Sequence, residues 1–133
     1  MRFLCALAVL CCALPAAAIH NGLGATPSMA WRSWNLYAGR VNQTLMEGIM
    51  LGMTSRRNSV DGVPTSLLDL GYSTVGLDNN WQECGSYGPN KYTYHDAAGN
   101  PVVNLARFPS LANMTAYAHS LGLKAGWYMN NCM

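Results

Sequence analysis

From Ser73 to Leu77 the chain runs through a short, mostly apolar segment and then meets Asp78, Asn79, Asn80 and Trp81: one carboxylate, two amides and an indole in succession. A run of that length and composition reads as a strand buried on both faces, and it delivers its polar groups to its own C-terminal end. In parallel barrels that end is where ligand sites are built. The design recurs at Met29 to Trp34 and Asn35, and again at Ala125 to Tyr128 with Met129, Asn130 and Asn131. Three strands are therefore expected to aim polar and aromatic groups at one rim.

The segments between them carry helical signals. Thr44 with Glu47 three residues later has the form of a capping box, and Ile49, Met50 and Met53 follow at helical spacing until a polar break from Thr54 to Ser59. Asp61 and Pro64 can open a second helical stretch that runs to Leu70 and stops at Gly71. Between Gln82 and Asn104 the chain is rich in Gly, Pro, Asn and Tyr. Tyr92 to Tyr94 and Val102–Val103 flank Asp96 to Pro101 there, which predicts a small hairpin inside a long loop. Ser110 is placed to cap a helix with Leu111, Met114, Ala118 and Leu121 on one face and Gly122 at its end. Strand, helix, strand, helix, strand in that order predicts a parallel α/β sheet.

The first residues define the compartment. Arg2, an apolar core from Phe3 to Leu14, Pro15 and the small run Ala16 to Ala18 form a signal peptide over residues 1–18, with cleavage before Ile19, and its core is too short for a stable membrane anchor. No later segment is apolar enough to span, so no membrane association is expected after cleavage. Cleavage removes Cys5, Cys11 and Cys12 and leaves Cys84 and Cys132 as disulfide candidates, with each other or with other partners. There is no Cys-x-x-Cys and no His/Cys cluster, so no metal site is expected, and His20, His95 and His119 read as surface or loop residues. The formal net charge of +2 is spread thinly, and only Arg56 and Arg57 are adjacent basic residues. That pattern argues against a nucleic-acid groove. The sequons at Asn42 and Asn113 agree with a secreted or lumenal glycoprotein.

Three ordered motifs carry a resemblance. Asn21-Gly22-Leu23, Thr26-Pro27 and Met29 to Trp34 resemble the opening NGL…TP.MGW..W of the secreted α-galactosidases of glycoside hydrolase family 27. Leu70-Gly71-Tyr72 leading to Leu77 through Trp81 is similar to that family's LGY….IDDCW. Arg107-Phe108-Pro109, with His119 through Tyr128, is similar to its RFP…HS.GLK.G.Y. The resemblance implies that residues 19–133 are the N-terminal part, about three strands, of a (β/α)8 TIM barrel. It also implies retaining hydrolysis of terminal α-galactosides by the complete protein, with no metal or organic cofactor. Trp34 would be the aromatic wall under the sugar, Asp78 and Asn79 would hydrogen-bond its hydroxyls, and Tyr128 would line the pocket. Taken alone, the tryptophans read more simply as core packing, Asp78 as a turn cap and Tyr128 as half-buried packing.

The departures from the family pattern are informative. Asn79 stands where the family has a second acid, and Asn80 and Gly39 stand where it has a disulfide. The family's catalytic carboxylates come from strands four and six, which lie beyond this chain, so no catalytic residue is assigned. Of Glu47, Asp61, Asp69, Asp78, Glu83 and Asp96, only Asp78 is placed at a strand end. A double displacement needs two carboxyl groups roughly 5 to 5.5 Å apart, so this segment by itself is expected to be inactive. The competing expectation is a non-enzymatic, secreted sugar-binding remnant.

Overall fold

The computed structural model describes residues 22, 24–83, 86–87 and 92–129. The elements in chain order are β1 (Ala30–Arg32), α1 (Trp34–Tyr37), α2 (Gln43–Thr54), β2 (Asn58–Val60), β3 (Val63–Thr65), β4 (Thr74–Leu77), β5 (Ser86–Tyr87), β6 (Tyr92–Thr93), α3 (Leu111–Ser120) and β7 (Lys124–Trp127). Strands β1, β4 and β7 form one parallel sheet with β4 in the centre, and α2 and α3 are the crossovers between them. This is the parallel α/β arrangement expected from the sequence, built as two successive βαβ units.

Alternation along β4 explains how the sheet is covered. Val75 and Leu77 are buried in the core, where they join Met46, Met50 and Met53 of α2, Met114 and Ala118 of α3, and Phe108. Spacings of four and three residues put the three α2 methionines on one helical face. Their unbranched side chains fill the irregular space between helix and sheet. On the other face of the sheet, Arg32, Gly76 and Gly126 share one register row. A Cβ on Gly76 would lie 3.0 Å from Arg32 Cγ, so the missing side chain is what lets Arg32 lie across the strand.

Helix α3 starts as expected, with the Ser110 hydroxyl accepting from Asn113 N at 3.1 Å and Gly122 beyond its end at φ +77°. Helix α2 corrects the expected cap. Asn42, not Thr44, is the capping residue, its Oδ1 accepting from Leu45 N at 2.8 Å. Glu47 does not reach back to close a capping box, because it is engaged by Gln43 Nε2 at 2.8 Å, one turn earlier on the same helix.

The second predicted helix is absent, and residues 58–65 form a β-hairpin instead. Asp61 and Gly62 both take positive φ, +50° and +80°, which is the geometry that an Asp-Gly pair adopts in a two-residue hairpin turn. Pro64 lies in a two-stranded ribbon, where its missing N–H is tolerated. The helical pattern from Leu67 onward is reduced to a single turn ending at Gly71. In the long loop, the expected turn forms at Asp96–Asn100, closed by the His95–Pro101 bridge, but Tyr92–Thr93 pairs with Ser86–Tyr87 and Val103 bridges Gln82. The local pairing therefore holds next to the turn, where Val102 N donates to Tyr94 O at 2.9 Å, and gives way to partners across the loop further out.

Arg56 ties the end of α2 to the turn that follows the hairpin. Its Nε and Nη2 donate to the two Asp69 carboxylate oxygens at 2.6 Å each, and Ser66 N and Oγ donate to Oδ2 at 2.9 and 2.7 Å. The Arg56 bonds first, and then those from Ser66, hold the Asp69 carboxyl far below the ordinary carboxylate range. A depressed folded-state pKa stabilises the fold above the unfolded value of about 3.9 and loses that contribution as pH falls below it. Asp69→Asn is therefore expected to lower the melting temperature at neutral pH, with the difference from wild type shrinking steadily below about pH 4. Thermal unfolding followed across pH checks this, and parallel pH profiles for the two proteins would refute it. The pair is solvent-exposed, so the effect is modest and weakens with salt.

Candidate functional site at the strand ends

The C-terminal ends of three adjacent parallel strands form a single rim. Trp34 follows β1, Asp78 and Asn79 follow β4, and Tyr128 follows β7, so the sheet brings all four residues singled out in the sequence to that rim. Trp34 is 44% exposed and Tyr128 42% exposed, which leaves both rings open to a ligand; neither is a core residue. Trp31, by contrast, packs against the hydrophobic core and forms a tilted pair with Tyr37 at 6.1 Å.

The loop after β4 is built from its own side chains. Asp78 Oδ1 accepts from Asn79 N at 2.8 Å, and Asn79 Oδ1 accepts from Asn80 N at 3.0 Å, each carbonyl or carboxylate oxygen capping the next amide. Asn80 takes φ +71°, a left-handed conformation that asparagine tolerates better than most residues. From the other side, the fully buried Ser33 hydroxyl accepts the Asp78 N–H at 2.9 Å, while Ser33 N donates to Gly76 O at 3.1 Å. Ser33 precedes α1 yet does not cap it, because its oxygen is committed to Asp78. Tyr128 is fixed by its backbone: its N–H donates to Leu77 O at 2.9 Å and its carbonyl accepts Trp81 Nε1 at 2.8 Å.

Three residues important to this geometry were not picked out in the sequence as site residues. Ser33 gives no signal, since a serine between two larger residues has no distinctive pattern. Arg32 places Nη1 3.7 Å from Asp78 Oδ2, a contact that depends on Gly76 across the sheet. Arg107, in the Arg-Phe-Pro motif, donates Nη1 to Asn80 O at 3.2 Å and Nη2 to Gly39 O. Gly39 leaves room for Asn80, since a Cβ added at residue 39 would lie 3.3 Å from Asn80 Cγ.

The other candidates fall elsewhere. Asn42 and Asn113 are exposed, the first capping α2 and the second in the first turn of α3. His119 is in the last turn of α3, and His95 lies in the bridged loop. Cys84, Cys132, His20 and the leader lie outside the described residues. Among the described residues no group of three or more His, Cys, Asp or Glu could hold a metal ion, and no helix is long and apolar enough to cross a membrane. A surface hollow of about 490 Å³ is lined by Arg40, Asn42 and Arg107 among others and contains none of the four rim residues. A rim three strands wide cannot enclose a pocket that a full barrel surrounds.

Chemically, the rim offers one carboxylate, an amide and two exposed aromatic faces. Ligands with several hydroxyls and an apolar face suit such a set. No protein-family model matches the chain. It is 37% identical to the α-galactosidase of Cyamopsis tetragonoloba over 111 residues, covering 82% of this chain and 22% of that protein. Among solved structures it is similar to α-galactosidase I from Mortierella vinacea, with TM-score 0.62, 28% identity and coverage of 82% of this chain and 23% of that one. It is also similar to the α-galactosidase from Saccharomyces cerevisiae determined with raffinose, with TM-score 0.61, 26% identity and coverage of 81% and 20%. The class is therefore a partial TIM barrel whose homologues are glycoside hydrolases. Within that class the chain is a homologue of the α-galactosidases over most of its length, and it spans less than a quarter of the length of these relatives.

Ser33→Ala tests the least conspicuous part of the rim. The Asp78 amide would lose its acceptor in a partly buried position, which costs about 1–3 kcal/mol. A lower melting temperature with faster amide exchange at Asp78 is expected, and unchanged exchange there would contradict the assigned role.

Proposed function

We propose that the complete polypeptide carrying this segment hydrolyses terminal α-galactosides with retention of configuration, and that these residues supply the sugar-contacting part of its pocket. The supporting observation is Asp78 at the C-terminal end of the central strand, its backbone fixed by Ser33, in a chain similar to α-galactosidases. Asp78 accepts from two sugar hydroxyls, Asn79 both donates and accepts, and Trp34 packs its indole against the apolar face of the pyranose. Tyr128 closes the side of the pocket beside β7. The nucleophile and the acid/base carboxyl belong to strands outside these 133 residues, and no metal or organic cofactor enters the reaction. A longer barrel also suits Trp127 on the edge strand β7, whose buried indole N–H has no partner among the described residues. Buried polar groups are nearly always hydrogen-bonded, and a neighbouring strand would bring acceptors within reach.

In the complete protein, Asp78→Asn keeps the shape and the Asn79 cap but removes a charge-assisted bond to the sugar. A fall in kcat/KM of about 10- to 150-fold is expected on a chromogenic α-galactoside. Trp34→Ala is expected to raise KM, because the apolar face of the sugar loses the indole it packs against. Both variants should melt close to wild type. Normal kinetics in two folded variants would overturn the binding assignment.

The same reading makes the protein a secreted or lumenal glycoprotein, cleaved before Ile19, with glycan at Asn42 or Asn113 and Cys84 and Cys132 oxidised. Both asparagines are exposed, as an acceptor must be. Intact-mass analysis after expression in a eukaryotic secretory host should give an N-terminus near Ile19 and added hexose-rich mass. A product retaining Met1 with unmodified asparagines would argue for the cytosol.

A further inference from the structure

We infer that Arg107 is a positioning residue, a two-pronged bracket that holds the loop after β4 against the loop after β1 and so fixes the direction in which Asp78 and Asn79 point. One prong, Nη1, donates to Asn80 O at 3.2 Å, and the other, Nη2, donates to Gly39 O. The two carbonyls belong to loops that leave different strands, and a planar guanidinium suits such a pair because its donors are fixed relative to one another.

Both loops have a reason to need holding. Asn80 at φ +71° and Ala38 at φ +45° sit in the left-handed region on either side of the bracket, and non-glycine residues remain there only when neighbours over-determine them. A Cβ added at Gly39 would lie 3.3 Å from Asn80 Cγ, so the loops approach closely at that point, and among the described residues Arg107 is the side chain bonded to both. Near the strands the loops are joined by Ser33 and Asp78; Arg107 joins them at their far ends.

Arg107 is itself firmly anchored. Its N–H donates to Asn104 Oδ1 at 3.0 Å, and Asn104 N donates to Trp81 O at 3.0 Å. Its carbonyl accepts Gln43 N at 2.9 Å, and Gln43 Oε1 accepts Ser110 N at 2.8 Å, which joins the bracket to the N-termini of α2 and α3. Phe108, next in the chain, is fully buried. The guanidinium thus extends from a fixed backbone to one carbonyl in each of the two loops.

This role rests on the glycosidase reading for its consequence, since what the bracket orients is the sugar-binding loop. The test uses the complete protein with Arg107→Met, Arg107→Lys, and Arg107→Met combined with Gly39→Cys and Asn80→Cys. A Cβ built at residue 39 would lie 3.3 Å from Asn80 Cγ, the atom whose place the sulfur of a cysteine at position 80 takes, so cysteines at the two positions are within bridging reach. Arg107→Met is expected to raise KM about tenfold while kcat changes less, because apparent affinity falls with the fraction of molecules whose loop is correctly set. Arg107→Lys, with a single ammonium that cannot span both carbonyls, should fall between. Oxidation of the cysteine variant should return KM to within about threefold of wild type, and reduction with dithiothreitol should raise it again. A folded Arg107→Met enzyme with wild-type KM, or a mass-verified crosslink that restores nothing, overturns the bracket. Absence of α-galactoside turnover in the wild type would count against the glycosidase reading alone. The bracket is then decided by amide exchange at Asn79 to Trp81, which should accelerate in Arg107→Met and slow again on crosslinking; unchanged exchange overturns it.

Discussion

The register of the central strand governs this structure. With Val75 opposite Trp31 and Ala125, and Gly76 opposite Arg32 and Gly126, β4 sends Val75 and Leu77 into the methionine-rich core and carries Asp78 out at its end. Because side chains alternate along a strand, a slip of one residue would exchange the two faces, burying the Arg32 row and exposing the core row. Parallel pairing adds a second condition. Both neighbours must run in the same direction, so all three strands deliver their following residues to one rim.

The helices pack against this sheet through flexible rather than branched side chains. Met46, Met50, Met53 and Met114, with Phe108, fill the layer between α2, α3 and β4. Methionine adapts to irregular spaces at little cost in strain, which suits an interface between two helices and a parallel sheet. Hydrogen bonds from Gln43, Asn104 and Arg107 then fasten the helix N-termini to the same loops that form the rim. Core and rim are thereby mechanically linked.

The features readable in the sequence were those that depend on periodicity and on chain order. The three apolar segments became β1, β4 and β7; Ser110 capped α3; and Trp34, Asp78, Asn79 and Tyr128 arrived at one rim because strand order alone placed them there. Where two local signals competed, the reading from sequence failed. Pro64 and the apolar spacing up to Leu70 suggested a helix, yet Asp61–Gly62 favours a hairpin turn, and a short isolated helix is marginal against the pairing of residues 58–60 with 63–65. Thr44 and Asn42 are both competent caps, and in the fold Asn42 caps the helix while Glu47 pairs with Gln43.

The sequence by itself determined the order of the three sheet strands and their two crossover helices, the direction of the sheet and the chemistry available at the strand ends, because each is set by neighbours within a few residues or by counting along the chain. Only the tertiary structure decided how that chemistry is held. Ser33 meets Asp78 across 45 residues, Arg107 meets Gly39 across 68, and Arg32 reaches Asp78 only because Gly76 on a neighbouring strand lacks a side chain. Such contacts leave no periodic trace, since they follow from the distance and angle between elements packed together, and these are fixed only when the core is filled.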